Sequence, residues 1–304
     1  MPATSPQKKA TVVATIVATA LTILKLVIGV MSGSVAVLAS AIDSLLDMAI
    51  SVFNFFAIKK SEENPNEEYQ YGKGKIQAIA GVIEGTIITV SGLYIIYKAL
   101  EKLMKGESLS LLTPSIIVML ISIVVTFFLV KYLLQVAEET DNIVIKADAL
   151  HYQTDLWSNA AVLLSLALVW MTGFSSIDAL FGLGIGLFII YSAYEIIQDG
   201  VAILLDRALE GDTVARIGEI ISNHPEATSY HWLKTRTDGT TNFVEFHLVL
   251  HPDMLLREAH DITDEIEDEI VALDTKKRWL ITPHYDPYDD EETNIMALHG
   301  TKHG

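Results

Sequence analysis

Six long apolar segments constrain what this chain can fold into more than any other feature. A helix that crosses a bilayer needs about 20 consecutive, mostly apolar residues. The segments that reach this length are 10–32, 36–59, 76–100, 112–136, 143–171 and 176–204. The sequence therefore predicts an α-helical membrane protein with six transmembrane helices.

The last third of the chain has a different character. From Asp206 onward it carries 21 acidic and 9 basic residues, a net −12 of the whole chain's −17. The elements that its periodicity predicts are a helix over 212–223, strands over 230–237 and 242–250, a helix over 254–273 and a strand over 278–284. Asp238-Gly239 favours a hairpin turn between the first two strands. The order αββαβ indicates a small ferredoxin-like domain with helices on one face of the sheet.

These changes in composition divide the chain into four parts. We expect a cytoplasmic N-terminus over 1–9, a six-helix transmembrane domain over 10–205, a cytoplasmic metal-binding domain over 206–288 and a flexible tail over 289–304. The first apolar run lacks a small-residue cleavage pattern after it, so we interpret it as a retained helix and not a signal peptide.

Basic residues indicate how the helices are oriented. With six spans, most of them flank the same membrane face as the two termini: Lys8, Lys9, Lys59, Lys60, Lys73, Lys75 and Arg207. Lys102 and Lys105 are the main exceptions. The positive-inside rule then places both termini and the acidic domain in the cytoplasm. A basic nucleic-acid footprint is absent from the sequence, and the lack of Cys excludes thiolate metal sites and disulfides.

Two short motifs place metal-capable side chains inside apolar segments. Asp43 and Asp47 are one helical turn apart in the second segment, and His151 and Asp155 are one turn apart in the fifth. Ionisable residues at bilayer depth are costly and usually mark an ion or proton path. Three carboxylates at a similar depth would repel one another unless a cation or protons lay between them. The pattern therefore predicts a shared metal site.

The donor types narrow the choice of metal without fixing it. Three carboxylates and one imidazole suit tetrahedral Zn²⁺, and Fe²⁺, Co²⁺, Cd²⁺ or Mn²⁺ remain open. Ca²⁺ and Mg²⁺ prefer more oxygen ligands and no His. Because ligands bind metal only when deprotonated, protons compete with the metal for such a site. That competition favours metal/proton antiport.

These features together resemble the cation diffusion facilitator family, and specifically its bacterial zinc/iron-type efflux transporters. The residues that carry the resemblance are the two motifs above, Tyr71-Gly-Lys-Gly-Lys75 before the third span, and a His-bearing αββαβ tail. The resemblance implies a homodimer in the bacterial inner membrane that exports divalent metal, with Zn²⁺ as first choice, against proton influx by alternating access. A His in the membrane set is typical of zinc-type members, whereas an Asp there is typical of manganese-type members.

The resemblance also assigns roles to individual residues. It implies that Asp43, Asp47, His151 and Asp155 are the transport ligands, and that Leu150 seals the path. It implies a cytoplasmic binuclear zinc site made of His231, His247, His260, His284 and Asp286, with Asp286 as the bridging ligand. Lys75 and Asp206 would form a charge interlock between protomers.

Two further positions bear on metal and proton chemistry. Some relatives hold a metal in the loop between spans two and three, but the matching positions here are Asn66, Tyr69 and Lys73, so we expect no such site. Glu84 in the third span is a buried carboxyl group. It either carries a proton as part of transport or stays protonated as part of the packing.

Three alternatives accompany the transporter interpretation. An intramembrane metallohydrolase would need an open coordination position and a base, usually as HExxH, and the sequence contains no such motif; we therefore expect no enzyme. A non-transporting metal-sensing dimer would not need costly charged residues in the membrane. A transporter of the same fold selective for Fe²⁺ or Mn²⁺ remains open.

Overall fold

Six long helices are followed by a small α/β unit. The computed structural model describes residues 5–32, 35–105, 113–172 and 176–289. The long helices are α1 (Pro6–Ser32), α2 (Val35–Ser61), α3 (Ile76–Lys105), α4 (Thr113–Thr140), α5 (Ile143–Thr172) and α6 (Ser176–Leu204). The later elements are α7 (Gly211–Asn223), β1 (Ser229–Thr237), β2 (Thr241–Val249), α8 (Leu256–Val271) and β3 (Arg278–Asp286). The chain divides into two compact units, residues 1–201 and 202–304.

Four of the described helices are long and apolar enough to cross a membrane. They cover Pro6–Ile28, Ile76–Glu101, Leu120–Thr140 and Leu180–Leu204. The other two long helices, α2 and α5, carry the charged motifs of the second and fifth apolar segments. Helices of membrane-spanning length and hydropathy are thus confirmed, whereas the number of six spans stays a prediction.

Small residues let the helices of the first unit approach closely. Ala10, Ala14 and Ala18 follow one face of α1 at intervals of four residues and are at most 2% exposed. Helix α1 packs against α2 and α4, while α5 packs against α3 and α4. Without a hydrophobic driving force between helices in lipid, such stripes of small residues allow the close packing that stabilises the bundle.

Glycines serve the same purpose between α3 and α6. A Cβ atom added at Gly186 would lie 2.6 Å from Ile96 Cγ1 and 3.0 Å from the backbone oxygen of Gly92. A Cβ atom at Gly92 would in turn lie 3.2 Å from the backbone oxygen of Gly186. A methyl group at either glycine would therefore require the neighbouring atoms of the facing helix to shift.

The second unit has the predicted element order αββαβ. Its sheet has the order β1-β2-β3, with β1 antiparallel and β3 parallel to the central β2. The parallel pair requires a crossover, which α8 supplies. The hairpin between β1 and β2 turns at Gly239, with φ +93°, and Asp238 Oδ1 accepts the backbone N–H groups of Thr240 and Thr241.

The two faces of this sheet have different roles. Val244, Phe246 and Leu248 alternate along β2 and pack with buried residues of α7 and α8 such as Ile221 and Ile266. Both helices therefore cover the same face, as predicted. The intervening residues of β2, including His247, point to the opposite face.

We expect Gly186→Ala to destabilise the first unit, because neither the Gly92 carbonyl nor the backbone behind it can move away from a new methyl group. Overpacking of this kind costs about 1–3 kcal/mol. The measurement is the thermal midpoint of the purified protein in detergent, followed by fluorescence-detected size exclusion.

Gly184→Ala is the matched control, two residues away on the same helix, where no atom lies within 4 Å of the added Cβ. It should leave the midpoint unchanged or raise it, since Ala favours a helix by about 1 kcal/mol over Gly. An equal loss in both variants would contradict the close crossing at Gly186.

Candidate metal centres

Three of the four predicted membrane ligands come together between α2 and α5. Asp47 lies on α2, and His151 and Asp155 lie one turn apart on α5. One ligand atom from each of the three residues lies within 4.8 Å of the others. His151 is 8% exposed and Asp47 and Asp155 are half-buried, so the group lies inside the helical unit.

The contacts within this group suit a cation. His151 Nε2 lies 3.0 Å from Asp47 Oδ1, so the imidazole already faces the carboxylate. Two donor atoms that bind one Zn²⁺ tetrahedrally at about 2.0–2.1 Å lie about 3.3 Å apart, close to this distance. The three side chains could therefore share a metal ion with little displacement. We call Asp47, His151 and Asp155 the membrane triad.

The roles of two other residues of the predicted membrane site, Asp43 and Leu150, are not tested by the structure. The side chain of Asp43 lies outside the part of the chain whose side chains the structure describes, so its role as fourth ligand stays a prediction. Leu150 is 7% exposed and directly precedes His151 in α5. It is part of the buried packing beside the triad, and its role as a seal also stays a prediction.

The structure adds a basic residue near α2 that the sequence analysis did not consider. Lys25 of α1 is 9% exposed, and its Nζ donates a hydrogen bond of 2.6 Å to Ser44 Oγ. Ser44 directly follows Asp43 and is itself buried. Lys25 comes from the neighbouring helix α1, so helical spacing within α2 does not reveal it. A lysine inside the first apolar segment was the available signal.

A second group of metal-capable residues lies on the open face of the small sheet. Each strand contributes: His231 comes from β1, His247 from β2, and His284 and Asp286 from β3. The strand register pairs His231 with His247 and His247 with His284, so the three imidazoles form a row across the sheet. Ring centroids are 4.9 Å apart in the first pair and 4.6 Å apart in the second.

Asp286 lies at the centre of this group. Its Oδ2 lies 2.8 Å from His247 Nδ1 and 3.4 Å from His231 Nε2, while its Oδ1 lies 3.3 Å from His284 Nε2. His231 and Asp286 are buried, at 3% and 8% exposed. Two imidazoles and a carboxylate form a donor set that suits Zn²⁺. We call His231, His247, His284 and Asp286 the sheet cluster.

A β-bulge in β1 adjusts the strand beside this cluster. Between His231 and Lys234 the chain advances three residues, while β2 advances two from His247 to Glu245. The inserted region holds Trp232 at φ +54°, a left-handed conformation that is unusual for an aromatic residue. The Trp232 ring stacks on His247 at 5.6 Å and 14°, which fixes the orientation of that imidazole.

Two residues lie in places other than those expected: His260 lies apart from the sheet cluster, whereas Asp289 lies beside it. His260 on α8 has an exposed side chain and lies 3.6 Å from Asp264, and it does not join the sheet cluster in the described chain. Its part in a binuclear site stays a prediction. Asp289, the first residue of the expected flexible tail, instead accepts a hydrogen bond from Ser229 and lies 3.6 Å from His231 Nδ1. The resemblance assigns no metal ligand beyond Asp286, so it does not indicate this carboxylate.

The predicted interlock residues lie near the ends of their helices. Lys75 lies in the turn directly before α3. Asp206 follows α6 with φ +57°, and its Oδ1 accepts a hydrogen bond of 3.4 Å from Arg236 Nη1. A pairing between protomers stays a prediction.

The loop between α2 and α3 uses its residues for local structure. Asn66 Oδ1 accepts the backbone N–H groups of Glu68 and Tyr69. Lys73 forms an ion pair of 3.1 Å with Glu63 and lies over the Tyr69 ring. The ammonium groups of Lys60 and Lys73 hold the pKa of the Glu63 carboxyl below its ordinary value. Asn66, Tyr69 and Lys73 thus stabilise the local structure of this loop.

Comparisons with known proteins agree with the geometry. The family model for the cation efflux transmembrane domain matches residues 11–205, and that for the cytoplasmic domain of cation efflux proteins matches residues 209–288. The cation-efflux pump FieF of Pectobacterium atrosepticum is 38% identical over 86% of this chain and 87% of its own. FieF of Klebsiella pneumoniae subsp. pneumoniae is 35% identical over 86% of this chain and 87% of its own.

A solved structure of CzrB matches 26% of this chain and 98% of its own, at 31% identity and a TM-score of 0.23, a score too low to bear on the fold. The two family models together cover almost the entire described chain. The chain belongs to the cation diffusion facilitator family and is a multi-pass membrane protein for the efflux of divalent cations.

Proposed function

We propose that this protein is a homodimeric, proton-coupled exporter of divalent metal, with Zn²⁺ as its principal substrate. The observation that carries the proposal is the convergence of Asp47, His151 and Asp155 inside the helical unit, with their ligand atoms within 4.8 Å. Asp43, one turn from Asp47 on α2, supplies the fourth ligand. FieF relatives are named cation-efflux pumps, which supports the direction of transport.

Proton coupling follows from the chemistry of the ligands. An imidazole ordinarily titrates near pH 6.5, and metal binding requires the deprotonated ring. Zn²⁺ from the cytoplasm therefore displaces protons from the membrane triad. When the helices rearrange and expose the triad to the other side, protons at higher concentration displace the metal.

The sheet cluster supports a regulatory role for cytoplasmic metal. Asp286 presents its two oxygens to different imidazoles, as a ligand shared between two ions would. We assign His231, His247, His284 and Asp286 to a cytoplasmic zinc site, completed by His260. Metal bound there stabilises the homodimer in which Lys75 and Asp206 pair, and both termini lie in the cytoplasm.

Asp47→Ala should abolish Zn²⁺ flux into proteoliposomes driven by an imposed pH gradient, because it removes one charged ligand from the membrane triad. The matched control is Asp199→Ala, which removes an exposed carboxylate from α6. That control should transport like wild type. Equal flux in Asp47→Ala and wild type would remove the triad from the transport path. Absence of Zn²⁺ flux in folded, dimeric wild type would contradict zinc export itself.

His151→Asp should shift selectivity from Zn²⁺ towards Mn²⁺. The substitution leaves a site of carboxylate oxygens only, and Mn²⁺ favours oxygen donors more than Zn²⁺ does. The measurement is the ratio of Zn²⁺ to Mn²⁺ flux in the same proteoliposomes, and we expect it to fall by about tenfold or more. An unchanged ratio would show that the imidazole does not select the metal.

Asp286→Ala should eliminate most of the thermal stabilisation that Zn²⁺ gives to the full-length protein. A ligand at 100 times its Kd stabilises the folded state by about 2.7 kcal/mol, and the variant loses the central ligand of the sheet cluster. Asp253→Ala, at an exposed position, is the control. If Zn²⁺ stabilised Asp286→Ala as much as the control, the metal would bind elsewhere.

A further inference from the structure

A second polar group lies inside the helical unit, separate from the membrane triad. It consists of Asn54 on α2, Glu84 on α3 and Asp148 on α5, which are 0%, 1% and 0% exposed. Neither motif of the membrane site contains any of these residues. Three different helices therefore bring two carboxylates and an amide together in the packed interior.

The hydrogen bonds within this group leave several oxygens without a donor. Asn54 Nδ2 lies 3.0 Å from Glu84 Oε2 and 3.3 Å from Asp148 Oδ1, so both amide hydrogens are used. The second oxygen of each residue, Asn54 Oδ1, Glu84 Oε1 and Asp148 Oδ2, has no hydrogen-bond partner. Covalent geometry keeps each of these oxygens next to its paired neighbour. Among the described residues, three buried oxygens on neighbouring side chains are thus left without a hydrogen-bond donor.

Such a group is unusual, because buried polar atoms nearly always find partners. A neighbouring polar network shows how this chain satisfies them elsewhere. Gln77 Nε2 donates to Ser61 Oγ at 2.6 Å, and Asn142 Nδ2 donates to Gln77 Oε1 at 3.0 Å. Asn142 Oδ1 accepts the N–H groups of Val144 and Ile145 at the start of α5. Every side chain of this network is paired, whereas the group of Asn54, Glu84 and Asp148 is not.

The position of the group relates it to the membrane triad. Along α2, Asn54 lies seven residues beyond Asp47, about 10 Å towards the end of the helix at Ser61. Along α5, Asp148 lies three residues before His151, about 4.5 Å towards the start of that helix. Ser51, which lies between Asp47 and Asn54 on α2, shares a hydrogen bond of 2.8 Å with Tyr152, the residue after His151. In the proposed topology, the group lies on the cytoplasmic side of the triad.

We propose that Asn54, Glu84 and Asp148 form a second intramembrane site for a divalent cation. The ligands are the three unpaired oxygens, two of them on carboxylates whose charge a cation neutralises. An all-oxygen set suits Mn²⁺ or Mg²⁺, and it lacks the imidazole that suits Zn²⁺ in the triad. If the proposed export function holds, a cation occupies this site before it reaches the triad.

The test isolates this site by removing the others in the full-length protein. The starting variant carries Asp47→Asn and Asp155→Asn in the membrane triad, and His247→Gln and Asp286→Asn in the sheet cluster. His151 stays, because it lies one turn from Asp148. Mn²⁺ binding is measured by electron paramagnetic resonance in detergent at pH 7.5. We expect one bound Mn²⁺ per chain, and Mg²⁺ should compete for it.

Adding Glu84→Gln to this variant should weaken Mn²⁺ binding by about tenfold or more, since one of two charged ligands is lost. Glu101→Gln, which removes another carboxylate of α3, is the matched control and should leave binding unchanged. If the multiple variant does not fold, Glu84→Gln and Glu101→Gln are each made in the wild-type protein. The Glu84→Gln protein should then bind one Mn²⁺ per chain fewer than the Glu101→Gln protein.

Two results would overturn the proposal. Equal Mn²⁺ binding with and without Glu84→Gln would place the bound ion elsewhere. No Mn²⁺ binding in the folded starting variant would mean that the carboxylates hold protons and not a metal. Both readouts are independent of flux, so a protein that binds Mn²⁺ here but exports no Zn²⁺ would contradict the proposed function and leave this site in place.

Discussion

The electrostatic cost of ionisable side chains among apolar helices is the constraint on which the rest of this structure depends. A carboxylate far from water is tolerated only when an opposite charge, a hydrogen-bond donor or a proton compensates it. Asp47 meets this condition by facing His151 at 3.0 Å. Because the two residues lie on different helices, the requirement also fixes how α2 and α5 pack. The geometry of the site and the packing of these two helices therefore depend on each other.

The small α/β unit meets a milder form of the same constraint. One face of its sheet packs on α7 and α8 through Val244, Phe246 and Leu248, which leaves the other face free for polar groups. His231, His247 and Asp286 occupy that face with their imidazoles turned towards one carboxylate. The apolar core thus supports the ligands from the other face of the sheet. The bulge at Trp232 changes the backbone of β1 beside them.

Much of the fold could be predicted from the sequence because its signals are local. Apolar length predicted the long helices to within a few residues, and Asp238-Gly239 marked the hairpin turn that the structure confirms. The number of six spans stays a prediction, since four of the described helices are long and apolar enough to cross a membrane. The αββαβ pattern predicted helices on one face of the sheet, but not the strand order, the parallel pairing of β3 or the register.

Spacing alone predicts a site only where one helix or strand places its ligands, whereas the sheet cluster across three strands was predicted from the family resemblance. Asp43 with Asp47, and His151 with Asp155, are such pairs, and the structure brings three of these four together. Contacts between elements that are distant in sequence were not predictable: Lys25 reaches Ser44 from another helix, and Asn54 lies between Glu84 and Asp148. Asp289 was missed because the pattern of histidines ends before it.

The paired network of Ser61, Gln77 and Asn142 has a consequence for movement. It joins the end of α2, the start of α3 and the start of α5 through consecutive hydrogen bonds of 2.6 and 3.0 Å. Breaking either bond away from water would leave a buried amide or hydroxyl uncompensated, at about 1–3 kcal/mol. These three helix ends are therefore expected to travel as one rigid block. A change in access to the triad then requires motion of this block against its neighbours, and not sliding of α2 along α5.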